Sequence, residues 1–521
     1  MTALQTHYAE AAQAALEDTG AAAAVDRIEI RLVGPAERLR AALRSVDGDP
    51  SNTERAVATY FDTGDRRLWR RGYSLSVSEM GADRRITLVR EEGLGLCRQE
   101  WSGPAASAAP DRAALPEDAP QEPFFDLLPG ELLPRFQTVM DSASAMHDAA
   151  GCRLAVTLER GRIQAVGGAT RAAELSVRLA DGGLAAMLMA VRSLAAEHGL
   201  GLSLVPHARR GMSLASGDAA GAVKARWPVF APDVTAEQAF ADIVSSAAEH
   251  IFANLALAES GEDPSGVHQL RVGLRRLRAA LSLFKMRIGP AGAMLNDGAR
   301  QALRRLGAAR DLDVFLTGTI PPIAASLPNP DALAPLLKAA ETARRKAYGD
   351  IRRMLRSPAF VAFQTDLLAA AEAGGVPVDD GGAPLAPDAA RLLRRRRRKT
   401  LRAGDGFALL PNEERHEARI ALKKFRYACG YFQCLFDGPD VRPYRKRMSA
   451  LQDALGMLND ADVAGRLVDS LAGRNRDAMV AAALVKGWHA HRLSAIEGEM
   501  TAAWLDFAEA RPFWKGSAPA A

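Results

Sequence analysis

The stretch His268-Gln269-Leu270-Arg271-Val272-Gly273-Leu274-Arg275-Arg276-Leu277-Arg278 recurs 148 positions later as His416-Glu417-Ala418-Arg419-Ile420-Ala421-Leu422-Lys423-Lys424-Phe425-Arg426. A second pair follows in the same order: Arg310-Asp311-Leu312-Asp313-Val314 is matched, 149 positions on, by Asn459-Asp460-Ala461-Asp462-Val463. Two motifs recurring at nearly one offset read as an internal duplication. Both lie where alanine and leucine dominate and the apolar period is helical. From about residue 234 onward the sequence predicts an all-α bundle of two pseudo-twofold halves, about 234–380 and 381–521. Helices are expected over 236–257, 267–285, 295–306, 331–355, 387–402, 413–435, 444–458 and 463–504.

On a helix turning about 100° per residue, His268, Arg271, Arg275 and Arg278 fall within an arc of roughly 80°, with Arg276 off the stripe. His416, Arg419, Lys423 and Arg426 repeat that arc. Each half thus presents a column of one histidine and three cations. Like charges at i, i+4 repel by a few tenths of a kcal/mol per pair, so something offsets the repulsion. Two readings stay open. Asp311, Asp313, Asp460 and Asp462 neutralise the columns as internal ion pairs, or an external polyanion lies along them. Arginine suits phosphate because its planar fork donates twice and stays charged. The run Arg394–Arg398 with Lys399 points all round a helix and reads as solvated surface, and no aromatic or zinc-finger signature of nucleic-acid recognition accompanies it.

Upstream, the period changes to two. Ile28-Glu29-Ile30-Arg31-Leu32, Leu75-Ser76-Val77-Ser78, Ile86-Thr87-Leu88-Val89 and Leu175-Ser176-Val177-Arg178-Leu179 alternate apolar and polar, which predicts strands with one face of each kind. A helix is expected at 183–198. The Ala/Pro-rich stretch 103–123 reads as a surface insertion, ordered or not, and 217–233 as a linker.

Length and composition bound the rest. A chain of 521 residues with 48% apolar and 25% charged residues has room for two to four globular domains. Four cysteines make no disulfide framework, and Cys429 and Cys434 have no second pair to complete a zinc site. Residues 1–20 lack the basic start and apolar run of a secretory signal. No run of about 18 uncharged apolar residues occurs, so no transmembrane helix and no membrane partner are expected. The expected location is the cytoplasm. Of 67 Lys+Arg and 62 Asp+Glu, 41 and 32 lie from residue 234 on, leaving 26 and 30 before it. A basic second half beside an acidic first half points to a polyanionic partner for the second.

The duplicated signatures resemble those of the CHAD domain, a helical module of two pseudo-symmetric halves. The resemblance covers about 234–521. It implies binding of inorganic polyphosphate through a basic surface between the halves, by His268, Arg271, Arg275, Arg278 and Arg310 in the first and His416, Arg419, Lys423, Lys424 and Arg426 in the second. Asn459 stands where the first copy has Arg310, so one positive charge is missing there. Nucleic acid is the less favoured polyanion.

The first half, about 26–216 after an N-terminal extension of 1–25, resembles the CYTH or triphosphate-tunnel family. The anchors are Ile28–Leu32, Tyr60-Phe61-Asp62-Thr63, Arg71-Gly72-Tyr73-Ser74-Leu75, Arg98-Gln99-Glu100-Trp101, Glu174-Leu175 and Arg210-Gly211-Met212. The resemblance implies an antiparallel β-tunnel, polar inside, with Arg31, Arg98 and Arg210 left to hold an anion and Glu29, Glu100 and Glu174 left to hold Mg²⁺ or Mn²⁺. The chain departs from the family pattern at many positions. The opening Glu-x-Glu-x-Lys reads Arg27-x-Glu29-x-Arg31, and the Leu-Arg-x-Arg strand reads Leu75-Ser76-Val77-Ser78. Thr-Leu-Lys reads Thr87-Leu88-Val89, Arg-x-Glu-x-Glu reads Arg98-x-Glu100-x-Ser102, and the Glu-x-Glu-x-Glu strand reads Glu174-x-Ser176-x-Arg178. The terminal Ser-Lys reads Pro206-His207. Phosphoryl transfer needs carboxylates for the cation and fixed positive groups for the phosphoryl oxygens, and both sets are thinned. The expectation is an α+β protein in which a degenerate tunnel acts as a binding or scaffolding domain and the helical half binds polyphosphate with no cofactor. A metal-dependent inorganic triphosphatase is the first alternative, and a nucleic-acid binder the second.

Overall fold

The computed structural model describes residues 25–46, 53–91, 94–124, 127, 131–217, 221–285, 288–372, 384–436 and 438–515. All but the last residue of the expected N-terminal extension, and the expected boundary between the helical halves, lie outside these residues. The chain divides into two compact units. The first comprises Met1–Lys224, Ala248–Gly266 and Arg353–Ala373, and the second Ala225–Ala247, Val267–Arg352 and Gly374–Ala521.

The first unit is built on a closed antiparallel barrel. Its strands are β1 Val25–Val33, β2 Glu54–Asp62, β3 Tyr73–Met80, β4 Asp83–Glu91, β5 Cys97–Pro104, β6 Leu133–Ala149, β7 Cys152–Ala165 and β8 Gly168–Asp181. They pair in the order β5-β4-β3-β2-β6-β7-β8-β1, and β1 returns to β5 through Arg27↔Arg98 and Ile28↔Cys97. A short β9, Gly201–Ser203, adds to the end of β1. Closure leaves no unpaired edge. The alternation follows from it. Leu75, Val77, Ile86, Leu88 and Trp101 face outward and are buried with Leu115, Ala119 and Phe124. The stretch expected as a surface insertion is therefore folded onto the barrel wall, fixed by three apolar anchors and by the Trp101 indole N–H donating to Asp118 at 3.0 Å.

The inner face carries the polar positions. Tyr60 stands opposite Ser76, Ser76 opposite Thr87, and Thr87 opposite Ser102, so hydroxyls line that part of the wall. Toward one end the inner face turns apolar. Phe136, Met140, Ile163 and Ala172 cluster there with Met212 of the helix His207–Ser216. Gly211 makes this approach possible, because a Cβ at that position would lie 2.1 Å from the Phe136 ring.

Helices of the first unit are α1 Ala36–Ser45, the single turn α2 Arg67–Arg70, α3 Leu184–His198 and α4 His207–Ser216. The second unit draws on the remaining helices: α5 Ala236–Ser260, α6 Pro264–Leu283, α7 Gly289–Arg305, α8 Gly307–Val314, α9 Ile320–Ser326, α10 Ala334–Leu355, α11 Pro358–Glu372, α12 Ala386–Ala403, α13 Asn412–Phe432, α14 Val441–Ala472 and α15 Arg476–Glu509. Parts of α5, α6 and α10 and the whole of α11 fall in the first. The duplicated motif occupies the middle of α6 and of α13. The break expected near residues 459–462 is absent: α14 runs through it and ends at Gly473, whose φ is +52°. The Asn and Asp residues there are poor helix formers, but Asn459 accepts from Arg419 and Asp462 pairs with Arg466 one turn on. Among the described residues no helix is long and apolar enough to cross a membrane.

Arg276, off the basic stripe, is a structural residue. It is buried over the Trp227 ring, 4.2 Å from the centroid, and donates to the Arg226 carbonyl. Tyr431 Oη donates to the Arg276 carbonyl at 2.8 Å and packs edge-on against Trp227. The end of the expected linker is thus pinned into the second unit. Arg276→Met, which keeps most of the stem and removes the guanidinium, is expected to lower stability by about 2 kcal/mol in denaturant unfolding. An unchanged midpoint would show that this contact does not hold the fold.

Candidate functional site: a basic cleft in the helical unit

A cleft of about 570 Å³ in the second unit is lined by Arg275, Arg278 and Lys285 on one side and by Lys423, Lys424 and Tyr427 on the other. Asn296 and Asp297 of α7 close it. The duplicated helices therefore bring the two basic columns to one place. Arg275 lies within electrostatic range of both Arg419 and Lys423, and Lys424 within range of Arg278.

Four of the arginines are positioned by neutral partners. Arg271 donates to the Leu303 carbonyl at 2.8 Å, Arg275 to the Arg271 carbonyl at 3.2 Å, and Arg278 to Asn296 Oδ1 at 3.0 Å. Arg419 donates to Asn459 Oδ1 at 2.7 Å. The asparagine that replaces Arg310 in the second copy thus serves as an acceptor that aims Arg419. Among the described residues, none of Arg271, Arg275, Arg278, Arg310, Arg419, Lys423, Lys424 and Arg426 makes an ion pair within 4.0 Å. The motif aspartates are engaged elsewhere or stand apart. Asp313 is fully buried, 2.7 Å from Arg344 Nε and accepting from Tyr348 Oη. Asp462 pairs with Arg466, and Asp460 is exposed. Burial raises the Asp311 carboxyl even though Arg271 and Arg310 act against it.

The crowding shows in proton affinities. Burial, aided by Arg275, pushes Arg271 down to about 10, and Arg419 is lowered for the same two reasons. Lys423 is pushed down to about 7 by burial and by Arg419 and Arg275, with Asp460 opposing only in part. Lys424 is lowered by burial and by Lys399 and Arg396.

Arg275, Arg278, Lys423 and Lys424 line the cleft, with Arg271, Arg310 and Arg419 in the surrounding cluster. His416 opens instead into a second hollow of about 640 Å³, with Asn459, Asp462, Lys486 and His489. His268 and Arg426 are half-buried on their helices and line neither. Sequence reasoning missed Lys285, Asn296 and Tyr427, which belong to the unduplicated surroundings. It also read the arginine run as uniform. Arg394, Arg395, Arg398 and Lys399 are exposed, but Arg396 donates to Ser282 at the cleft and Arg397 to the Ala508 carbonyl.

In the first unit the expected anion and metal residues meet one another. Arg31 Nη2 is 2.7 Å from Glu29 Oε1 and its Nε 2.8 Å from Glu174 Oε1. Arg98 reaches Glu29 at 3.4 Å, Arg210 reaches Glu174 at 3.3 Å, and Arg27 reaches Glu100 at 3.3 Å. Burial alone would raise the Glu29 carboxyl, but Arg31, Arg98 and the Ser176 hydroxyl hold it at about 2. Glu29 therefore has both oxygens occupied by cations, and Glu100 sits on Arg27, so Glu29, Glu100 and Glu174 do not form a joint donor set for Mg²⁺ or Mn²⁺. Among the described residues the group of His, Cys, Asp or Glu side chains whose ligand atoms converge within 4.8 Å is Glu159, Glu174 and His207.

The duplicated helices thus bring cations from both copies to one cleft. Residues 242–469 match the CHAD domain family model, and this segment of the chain is a CHAD domain. The crystal structure of the CHAD domain from the plant Ricinus communis is 28% identical, covers 58% of this chain and 99% of its own, and gives a TM-score of 0.50. PptA from Streptomyces chartreusis is 19% identical over 52% of this chain and 100% of its own, with a TM-score of 0.43. A candidate adenylyl cyclase from Hippeastrum, described as having a dominant triphosphatase activity, is 16% identical over 37% of this chain and 96% of its own, with a TM-score of 0.27. No curated protein matches the chain.

Lys423 generates a signed prediction. An anion in the cleft favours its charged form, so binding above pH 7 takes up a proton. Tripolyphosphate affinity is expected to fall as pH rises from about 7 to 9 in calorimetry, beyond any change from the ligand's own ionisation, and Lys423→Arg is expected to flatten that part of the profile. The unliganded protein behaves oppositely. Its folded state releases this proton near pH 7 and the unfolded chain near 10.5, so this group makes stability rise across that window.

Proposed function

We propose that the helical unit binds inorganic polyphosphate, or a similar phosphate-rich polyanion, in the cleft between its duplicated helices. The observation that carries this reading is the convergence of Arg275, Arg278, Lys423 and Lys424, from both copies of the motif, on one cleft without a carboxylate ion pair among the described residues. Cations held apart by helices and aimed by neutral acceptors keep their charge for a ligand. A linear phosphate chain meets both columns at once, as a single phosphate does not. The binding needs no cofactor and no covalent step.

The first unit fits a binding or scaffolding role. The arginines that would neutralise a transferring phosphoryl group are held by Glu29, Glu100 and Glu174. Where the resemblance calls for cationic residues, hydroxyls stand at Ser76 and Ser78 and an apolar side chain at Val89. An inorganic triphosphatase activity would have to operate without these groups, and removing fixed transition-state donors costs about 10²–10³ each.

The test is binding of polyphosphate of graded chain length at several salt concentrations. Affinity is expected to rise with length and fall steeply with salt, and Arg275→Glu with Lys423→Glu is expected to weaken it at least 100-fold. Unchanged binding in that double variant removes the proposal. RNA displacing polyphosphate at equal phosphate concentration would favour a nucleic-acid binder. In a second assay, phosphate release from tripolyphosphate with Mg²⁺ or Mn²⁺ is expected at no more than a trace, and robust turnover lost in Glu174→Gln would make the first unit an enzyme.

A further inference from the structure

We propose that Glu159, Glu174 and His207, on the inner face of the barrel, form a binding site for one divalent transition-metal ion of the Zn²⁺ class. The proposal stands apart from the polyphosphate reading and concerns the first unit alone. The three residues come from β7, β8 and the first position of α4, and Glu159 is directly opposite Glu174 in the sheet.

The distances suit a coordinated ion. His207 Nε2 is 3.2 Å from Glu174 Oε1 and 3.3 Å from Glu159 Oε2. Two ligand atoms each about 2.0–2.2 Å from one metal, at angles between octahedral and tetrahedral, lie roughly 3.0–3.5 Å apart. A charged N–H···O bond would bring them to about 2.8 Å. Moreover, Glu174, 1% exposed, has its Oε1 2.8 Å from Arg31 Nε, and His207, 9% exposed, has a hydrogen-bond partner on neither ring nitrogen. Buried polar atoms left in that condition are rare. A cation among them would satisfy the His207 Nε2 and both carboxylates together.

The donor set selects the ion. One imidazole with two carboxylates suits Zn²⁺ and its neighbours, whereas Mg²⁺ prefers oxygen donors and keeps its waters. The resemblance implies a hard cation on three glutamates; this chain has a histidine where that family carries a lysine. Arg210 holds the second oxygen of Glu174 at 3.3 Å, and Arg31 stands beside the first, so the carboxylate is oriented from outside the coordination sphere. The apolar cluster of Phe136, Met140, Ile163 and Met212 fills the neighbouring end of the barrel.

Calorimetry on the metal-free full chain tests this, with Zn²⁺ as the titrant and Co²⁺ absorption as the second readout. One equivalent of Zn²⁺ is expected, with a rise in melting temperature and visible Co²⁺ bands. His207→Ala and Glu159→Gln are each expected to weaken binding at least tenfold while leaving the circular dichroism spectrum and polyphosphate binding intact. His207→Gln serves if the alanine variant does not fold. Glu100→Gln and Cys97→Ala are expected to bind as the parent does. No Zn²⁺ binding, binding indifferent to His207, loss in Cys97→Ala, or displacement by equimolar Mg²⁺ would each overturn the proposal.

Discussion

Positive charge crowded together without close ion pairs is the constraint around which the helical unit is organised. Helices α6 and α13 hold Arg275, Arg278, Lys423 and Lys424 around one cleft, where burial and mutual repulsion act against them. An exposed pair of such cations would swing apart into water. Here each arginine is tied by a neutral acceptor, the Leu303 carbonyl, the Arg271 carbonyl, Asn296 or Asn459, which fixes its direction without cancelling its charge. The fully buried carboxylate of the first acidic motif, Asp313, is turned to Arg344 and Tyr348. Asp313 and Asp462 of the acidic motif are thus engaged away from the basic one, and Asp311 and Asp460 offset its charge only from a distance.

The barrel solves the opposite problem. Its inner face carries Arg27, Arg31 and Arg98, with Arg210 reaching in from α4, but carboxylates answer each of them within 3.4 Å. Such buried networks are costly to break from either side, because removing one partner strands the other. The two units thus use the same side-chain types toward different ends. In one the arginines stand without close carboxylates, and in the other they are paired within the barrel.

How much of this was legible in the sequence depended on how local the cause was. The basic columns could be read because helical period places residues three and four apart on one face, and the duplication supplied an internal check. Strand alternation at Ile28–Leu32 and Leu75–Ser78 was equally local. Helix α11 escaped notice because Phe360, Val361, Phe363, Leu367 and Leu368 are buried nearly all round, leaving little amphipathic period to detect. The 103–123 stretch looked loose because its composition is alanine and proline, but three apolar anchors suffice to dock it. The His207 cluster was least accessible, since Glu159 and His207 are 48 positions apart and meet only through sheet register and a helix start.

The apolar cluster that ends in Met212 has a mechanical consequence. Phe136, Met140, Ile163 and Met212 tie β6, β7 and α4 together on the inner face of the barrel. A Cβ at Gly211 would meet the Phe136 ring, so α4 seats there only with glycine at that position, and the helix start that carries His207 is anchored by packing one turn further along.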